Sequence, residues 1–440
     1  MMLGYYFALA LASLRRNVGL TALMIAAIAV GIGASMIVLV VYRAEAGDPI
    51  PDKAHQLYAV QLDNWGPVRH MASSSQRGDD LEDQLSYADA VALMRAHAAK
   101  RQAAMYATSM TVLPENAQLS PFTVSARATY ADFFAMFEVP FVYGSPWRAA
   151  QDEAHAKVVV ISNKLNQSLF DGANSVGRYI RFADGMYQVV GVIADWRPVP
   201  RFYDLTVGAY GDTEQVYLPF TTAVDGNLAQ GENTDCNENV PGGSRDLHSD
   251  CVWIQFWAEL PTLQDAQAYR AFLRGYARQQ QQNGRFHWAA RTSVRDVPQW
   301  LQYEGVVSGQ VELMVLVAFG FFLVCLVNAA GLMLAKVMEQ STRVATRRAI
   351  GADRWAILAQ YLTEAALVGA AGGIAGLLVT QLGLSGAGML FSNDVFRIVR
   401  LDGSSISIEV SLAIVATLLA ALYPTWRATC VNPASQLKTR

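Results

Sequence analysis

The sequence predicts an α-helical membrane protein with four transmembrane helices and a large mixed α/β extracytoplasmic domain between the first and second helices. Three observations predict it. Val18 to Tyr42, Leu313 to Ala335, the glycine-rich run within Ala365 to Asn393, and Val410 to Trp426 carry no charged residue. About 20 apolar residues span a bilayer, so the fourth run is near the minimum. Residues 43–310 are instead polar and rich in turn residues. Lys and Arg gather in the short segments flanking the apolar runs, which sets orientation. Composition agrees: 52% of the 440 residues are hydrophobic and 16% charged, against about 25% charged in average soluble domains.

Residues 1–17, MMLGYYFALALASLRRN, mix aromatics and leucines and carry Arg15 and Arg16. They suit a short helix lying in the membrane interface, the alternative being an extension of the first span. Val18 to Tyr42 is too long for the apolar core of a signal peptide, about 7–15 residues, and reads as an uncleaved anchor. Ala27, Gly31 and Ser35 recur every four residues, as do Gly372 and Gly376 in the third run. Small residues at that spacing let helices approach closely, though they are also common in such helices without that role.

In the outer domain, AKVVVISNKLNQSLF reads as a strand over Val158 to Ile161, a Ser162 cap and a helix to about Phe170. Asp184-Gly185 between alternating segments signals a hairpin. TLQDAQAYRAFLRGYARQQQQNG is a surface helix ending at Gly284. Residues 224–251 read as an irregular loop. Cys236 and Cys251 flank its second half, and outside the cytoplasm such a pair can close a disulfide. A metal site with His248 and Asp235 matches no familiar ligand spacing. Cys325 and Cys430 read as packing residues.

Basic residues Lys336, Arg343, Arg347, Arg348 and Arg354 lie between the second and third runs, and Arg427, Lys438 and Arg440 follow the fourth. Arg397 and Arg400 weakly oppose the pattern. The balance puts both termini and the 336–364 segment in the cytoplasm. The expected organisation is an interfacial helix (1–17), span one (18–42), outer domain (43–310), span two (311–335), a coupling corner (336–364), span three (365–391), an outer loop (392–406), span four (407–426) and a cytoplasmic tail (427–440). Within the corner, Gly351 is suited to follow a helix ending near Ile350 and Asp353 to cap the next one. Trp355, Leu358 and Leu362 then share a helical face. A stiff corner of this kind transmits or accepts a push; its arginines equally suit holding topology against anionic lipid.

No catalytic cluster is evident. The G-x-S-x-G, H-E-x-x-H and G-x-x-x-x-G-K-[ST] patterns are absent, so no ATP binding by a phosphate loop is expected. The six histidines form no spaced ligand pair, and no metal is expected. Asp79, Asp80, Glu82 and Asp83 read as a solvated surface. A net charge of −3 gives no basic field for nucleic acid.

EQSTRVATRRAIGADRWAILAQYLTEAALVGAAGGIAGLLV resembles the signature of the FtsX-like permease domain of MacB-type ATP-binding-cassette transporters. YPTWRATCVNPASQLK, with Pro424, Trp426, Arg427, Pro433 and Leu437, resembles that domain's closing motif. ATYADFFAMFEVPFVYGSPW, KVVVISNKLNQSLFDGANSVGRYIRF and YQVVGVIADWRP resemble the MacB periplasmic core in order and spacing. The resemblance covers nearly the whole chain. It implies a non-catalytic inner-membrane permease subunit, working as a dimer of identical or paralogous permeases with cytoplasmic ATPase subunits that hold ATP and Mg. An adaptor and an outer-membrane channel are implied further partners. Arg343, Arg347, Arg348, Ala349, Gly351, Ala352, Asp353 and Trp355 are by analogy the ATPase-coupling residues. The cargo class implied is a peptide, an antibiotic-like compound or a siderophore; lipoprotein extraction and signalling to a cell-wall hydrolase are alternatives within the same architecture. Arg343 and Ala345 stand where the family usually has Glu and Gly, and Ser435 where it has Glu, implying a matched ATPase partner or one half of a heterodimer. No fused ATPase domain is expected before the first span.

Overall fold

A computed structural model describes residues 2–46, 48–64, 81–114, 120–231, 234–236, 247–306, 309–340, 346, 350–351, 353–390 and 403–429. Arg343, Arg347, Arg348, Ala349 and Ala352 of the corner lie outside these residues, as do Asp79, Asp80, Arg397, Arg400, Cys430 and the end of the closing motif. The chain divides into two units, residues 48–306 and residues 1–47 with 307–440.

Helix α1 (Met2–Arg16) breaks at Asn17 before α2 (Val18–Ala46). The outer unit then runs β1 (Leu57–Leu62), β2 (Leu85–Ser86), α3 (Tyr87–Ala96), β3 (Arg101–Val112), β4 (Phe122–Thr129), α4 (Asp132–Met136), β5 (Phe141–Gly144), α5 (Ala149–Glu153), β6 (Val158–Ser162), α6 (Asn163–Phe170), β7 (Tyr179–Phe182), β8 (Gly185–Ile193), β9 (Val216–Pro219), α7 (Phe220–Asp225), β10 (Val252–Glu259), α8 (Leu263–Gln282), β11 (Thr292–Asp296) and α9 (Val297–Tyr303). Helices α10 (Gly309–Glu339), α11 (Arg354–Leu390) and α12 (Gly403–Thr429) complete the other unit.

The strands join in the order β11-β1-β10-β3-β4-β9-β6-β8-β5, with β2 on β10 and β7 against β3 and β8. Pairs β4–β9 and β6–β8 are parallel, the rest antiparallel. Central strands are buried on both faces, so they read as apolar runs rather than as alternation. In β1, Tyr58, Val60 and Leu62 enter one core while Leu57 and Ala59 enter the other. Strand β6 divides the same way, Val159 and Ile161 against Val158 and Val160. Helix α8 covers the first face with Ala266, Tyr269, Leu273 and Ala277. Phe133, Phe134 and Phe137 of the α4 segment, with Val297, Trp300 and Leu301 of α9, cover the second. The long β3 joins the halves, pairing with β10 through Arg101–Met105 and with β4 through Tyr106–Val112.

Local signals act where expected. Ser162 Oγ accepts from Leu165 N at 3.2 Å and starts α6. Thr262 and Asp265 form a capping box at α8. Asp184-Gly185 closes the β7–β8 hairpin. Cys236 and Cys251 form a disulfide beside the Asp235–Val252 bridge.

Among the described residues, three helices are long and apolar enough to cross a membrane, over Val18–Tyr42, Leu313–Glu339 and Arg354–Gly386. In α12 the apolar stretch is the shorter Val410–Trp426, so the expected four spans stand as three and one short candidate. Helices α10 and α11 each pack against α2 and α12, and α1 packs against α11. Within the 336–364 interval α10 continues to Glu339, and α11 starts at Arg354, directly after Asp353, where the sequence places the start of that helix.

Candidate functional site

The corner between α10 and α11 is built by backbone geometry. Ile350 N–H donates to Thr346 O at 3.1 Å, closing one helical turn. Gly351 follows at φ +102°, where side chains are rarely tolerated. A Cβ there would meet no atom within 4 Å, so conformation and not space calls for glycine. Asp353 sits just before α11, and its carbonyl accepts from Ile357 N–H at 3.3 Å. Ile350 and Trp355 are 81% and 74% exposed, two large apolar side chains at the turn. The stripe of Trp355, Leu358 and Leu362 is the more open face of α11; the buried one is Ile357, Tyr361, Glu364, Ala365 and Val368. Both stripes satisfy helical spacing, and the second is the one that meets the bundle.

The small residues sit at close helix approaches. A Cβ on Gly31 would lie 2.6 Å from Cys325 Cβ of α10, and one on Gly372 2.6 Å from Ile28 Cγ2 of α2. Ser35 Oγ donates to Ala318 O at 3.0 Å across α2 and α10. Thr380 Oγ1 donates to Gly376 O at 3.0 Å, and Gly376 O lies 3.1 Å from where a Cβ of Gly33 would stand. Ala27 is half-buried.

Sequence reasoning missed a second feature of this unit. Lys336 Nζ donates to Glu364 Oε1, and both side chains are buried among apolar residues. The available signal was two opposite charges, Lys336 about one turn before the end of α10 and Glu364 about three turns after the start of α11.

The outer unit holds a cleft of about 360 Å³ between α3, the α4 and α5 segments and α7. Tyr87, Phe220 and Tyr130 wall it: Phe220 stacks on Tyr130 at 5.4 Å and on Tyr87 at 6.3 Å. Asp152 at its floor accepts from Trp147 Nε1 at 2.8 Å and Ala131 N at 3.0 Å. Burial nevertheless pushes the Asp152 carboxyl up to about 6, and burial also raises Asp132 beside it. A second cleft of about 230 Å³ is lined by Tyr203, Asp204, Trp257 and Trp300. Asp204 belongs to a buried network in which Arg127 also meets Glu214. Among the described residues no three His, Cys, Asp or Glu side chains gather as metal ligands.

Residues 21–271 match the MacB-like periplasmic core domain, and residues 315–433 the FtsX-like permease C-terminal domain. Together they describe a permease in which a large mixed α/β domain lies in sequence between apolar helices. The chain belongs to the MacB/FtsX-type family of ABC-transporter permeases. It is 28% identical over 262 residues to the pyoverdine export ATP-binding/permease protein PvdT of Pseudomonas syringae, covering 59% of this chain and 35% of that one. It is 23% identical over 387 residues to the macrolide export ATP-binding/permease protein MacB of Azoarcus sp., covering 88% and 52%. The chain thus spans about a third to a half of the length of these curated relatives. The periplasmic region of MacB from Actinobacillus actinomycetemcomitans superposes with a TM-score of 0.37 at 13% identity, covering 60% of this chain and 99% of that one.

Proposed function

We propose that the chain is the membrane permease subunit of an ATP-driven exporter that works by mechanotransmission. A cytoplasmic ATPase partner holds ATP and Mg, and its closure pushes on the 336–364 corner. Helices α10 and α11 carry that motion to the outer domain, which lies in the periplasm while both termini lie in the cytoplasm. Two permeases, identical or paralogous, form the working dimer, and an adaptor with an outer-membrane channel completes the path. The cargo is a peptide, an antibiotic-like compound or a siderophore, in keeping with relatives named for pyoverdine and macrolide export. The observation that carries the reading is the FtsX-like match across residues 315–433, which contains a turn with Gly351 at φ +102°.

Gentle affinity purification from native membranes tests it. Recovery of an ATPase together with an adaptor supports export. Recovery of an ATPase with a cell-wall hydrolase moves the chain to signalling, and recovery of no ATPase overturns the reading. With the partner in hand, Gly351→Pro and the double change Arg347→Glu with Arg348→Glu should each abolish permease-stimulated ATP hydrolysis while membrane insertion is kept. Proline fixes φ near −65°, on the wrong side of zero for this turn. Stimulation that survives both changes removes the corner as the coupling element.

A further inference from the structure

Helices α10 and α11 are joined in sequence by the corner, yet they do not pack along their length. Each packs against α2 and α12, which places α10 and α11 diagonally across the bundle. Among the described residues, side-chain ties cross that diagonal near the corner. Lys336 of α10 pairs with Glu364 of α11, and Tyr361 Oη donates to Gln340 Oε1 at 3.5 Å. The end of α10 is held on another side as well, where Asn17 Nδ2, at the α1–α2 joint, donates to Glu339 Oε2 at 3.2 Å.

The ion pair is the unusual member. A lysine near a helix end ordinarily runs its stem toward the interface and keeps its ammonium in water. Lys336 is 1% exposed and turns inward. Glu364 is equally buried, and its second oxygen, Oε2, has no hydrogen-bond partner. The carboxylate borders a cavity of about 20 Å³ bounded by all four helices, with Met24 and Ile28 of α2, Met333 of α10 and Thr417 of α12. A space of that size admits about one water molecule. The charge of Glu364 is therefore balanced by Lys336 across the centre of the bundle.

Burying both charges is costly, and apolar residues of similar volume often serve stability as well or better. What an ion pair supplies that an apolar contact does not is a single register. Apolar side chains slide past one another, whereas Nζ must meet Oε1.

We propose that Lys336 and Glu364 are positioning residues for coupling: their pair fixes the diagonal spacing and register of α10 and α11 at the corner, so that a push on the corner moves both helices as one body. The coupling half of this proposal rests on the ATP-driven permease reading; the positional half stands without it.

The test uses the full chain in detergent, with Cys325 and Cys430 replaced by alanine and spin labels at Met338→Cys and Ile374→Cys, both on exposed positions of α10 and α11. Three backgrounds are compared: the parent pair, the apolar double change Lys336→Met with Glu364→Leu, and the swap Lys336→Glu with Glu364→Lys. The expected result is a narrow distance distribution in the parent, a broad or displaced one in the apolar double, and a return to the parent distance in the swap. At matched amounts of folded protein, the apolar double should lower stimulation of the co-purified ATPase by about tenfold, and the swap should restore it. The apolar double keeps the bundle packed, so a merely structural pair would leave both readouts at parent values, and that outcome overturns the proposal. A swap that folds but restores neither readout overturns it too. If no ATPase co-purifies, the functional reading fails, and the distance distributions still decide whether the pair sets register.

Discussion

Replacing Arg127 by methionine should unfasten the outer unit. Arg127 lies on β4 and is fully buried. Its Nε and Nη2 donate to Glu214 Oε1 at 2.9 and 2.6 Å, and Nη2 also pairs with Asp204. Its guanidinium lies 5.0 Å from the centre of the Tyr203 ring. Tyr203 Oη donates to Glu214 Oε2 at 2.9 Å, and Arg201 approaches Glu214 at 3.7 Å. Methionine would fill the stem's volume and remove the guanidinium that pairs with both buried carboxylates, leaving Glu214 to Arg201 and its tyrosine donors and Asp204 to neutral donors such as Thr206. Removing one partner of a buried pair costs about 3–5 kcal/mol, and losing the contact with the Tyr203 ring about 0.5–2 more. A loss of roughly 4 kcal/mol is expected after relaxation. Burial raises the Glu214 carboxyl, but Arg127 and Arg201 lower it further and hold it below its ordinary value. In the parent, the stability this supplies is present above the unfolded pKa and disappears as pH falls through the folded one. In the variant that depression weakens, so protonation relieves the repulsion and the deficit shrinks on acidification. Urea unfolding of the full chain in detergent, followed by tryptophan fluorescence, reads both effects; Trp257 donates to Tyr203 O at 3.0 Å and so reports on this core. A deficit under about 1 kcal/mol at neutral pH, or one that widens toward about pH 5, would refute the reasoning.

Serine at both Cys236 and Cys251, separated by 15 positions, frees a closed loop whose entropy is worth about 3 kcal/mol; the urea midpoint should fall accordingly, and an unchanged midpoint, or both thiols labelling freely in the folded parent, would count against a closed bridge. The indole N–H of Trp147, bonded to Asp152, should titrate in NMR spectra with a midpoint near the raised value of about 6. Because that pKa is raised, the stabilisation from protonated Asp152 is fully present below the unfolded value and is lost as pH rises through about 6. Asp152→Asn should flatten the titration, and a parent midpoint in the ordinary carboxylate range would show that burial does not dominate there.

Local chemistry made some elements legible. The Ser162 cap, the Asp184-Gly185 turn and the α8 boundaries each depend on residues within a few positions, and all three form where those residues stand. The strand order was not legible. Strands β1, β10 and β3 lie side by side although β10 follows β3 by well over a hundred residues, and nothing in an apolar run such as Val252–Glu259 names its neighbours. The polar network was hidden for the same reason. Arg127, Asp204 and Glu214 look like three unrelated surface charges until β4 and β9 pair in parallel and bring their segments together.

The membrane unit shows a different limit. Charge was used to end the apolar runs, so Lys336 and Glu364 fall at the two limits of the 336–364 corner, outside the spans, although Gly351 and Asp353 mark helices on both sides of the turn. That rule assumes a charge is soluble only in water. Here each charge is the solvent of the other: Lys336 and Glu364 neutralise one another across the bundle, so neither has to leave it. The helices can then continue, to Glu339 on one side and from Arg354 on the other. Two helices tied by such a pair beside the turn have less freedom to shift against one another there than two that meet only apolar neighbours, and that is the property the proposed coupling role requires.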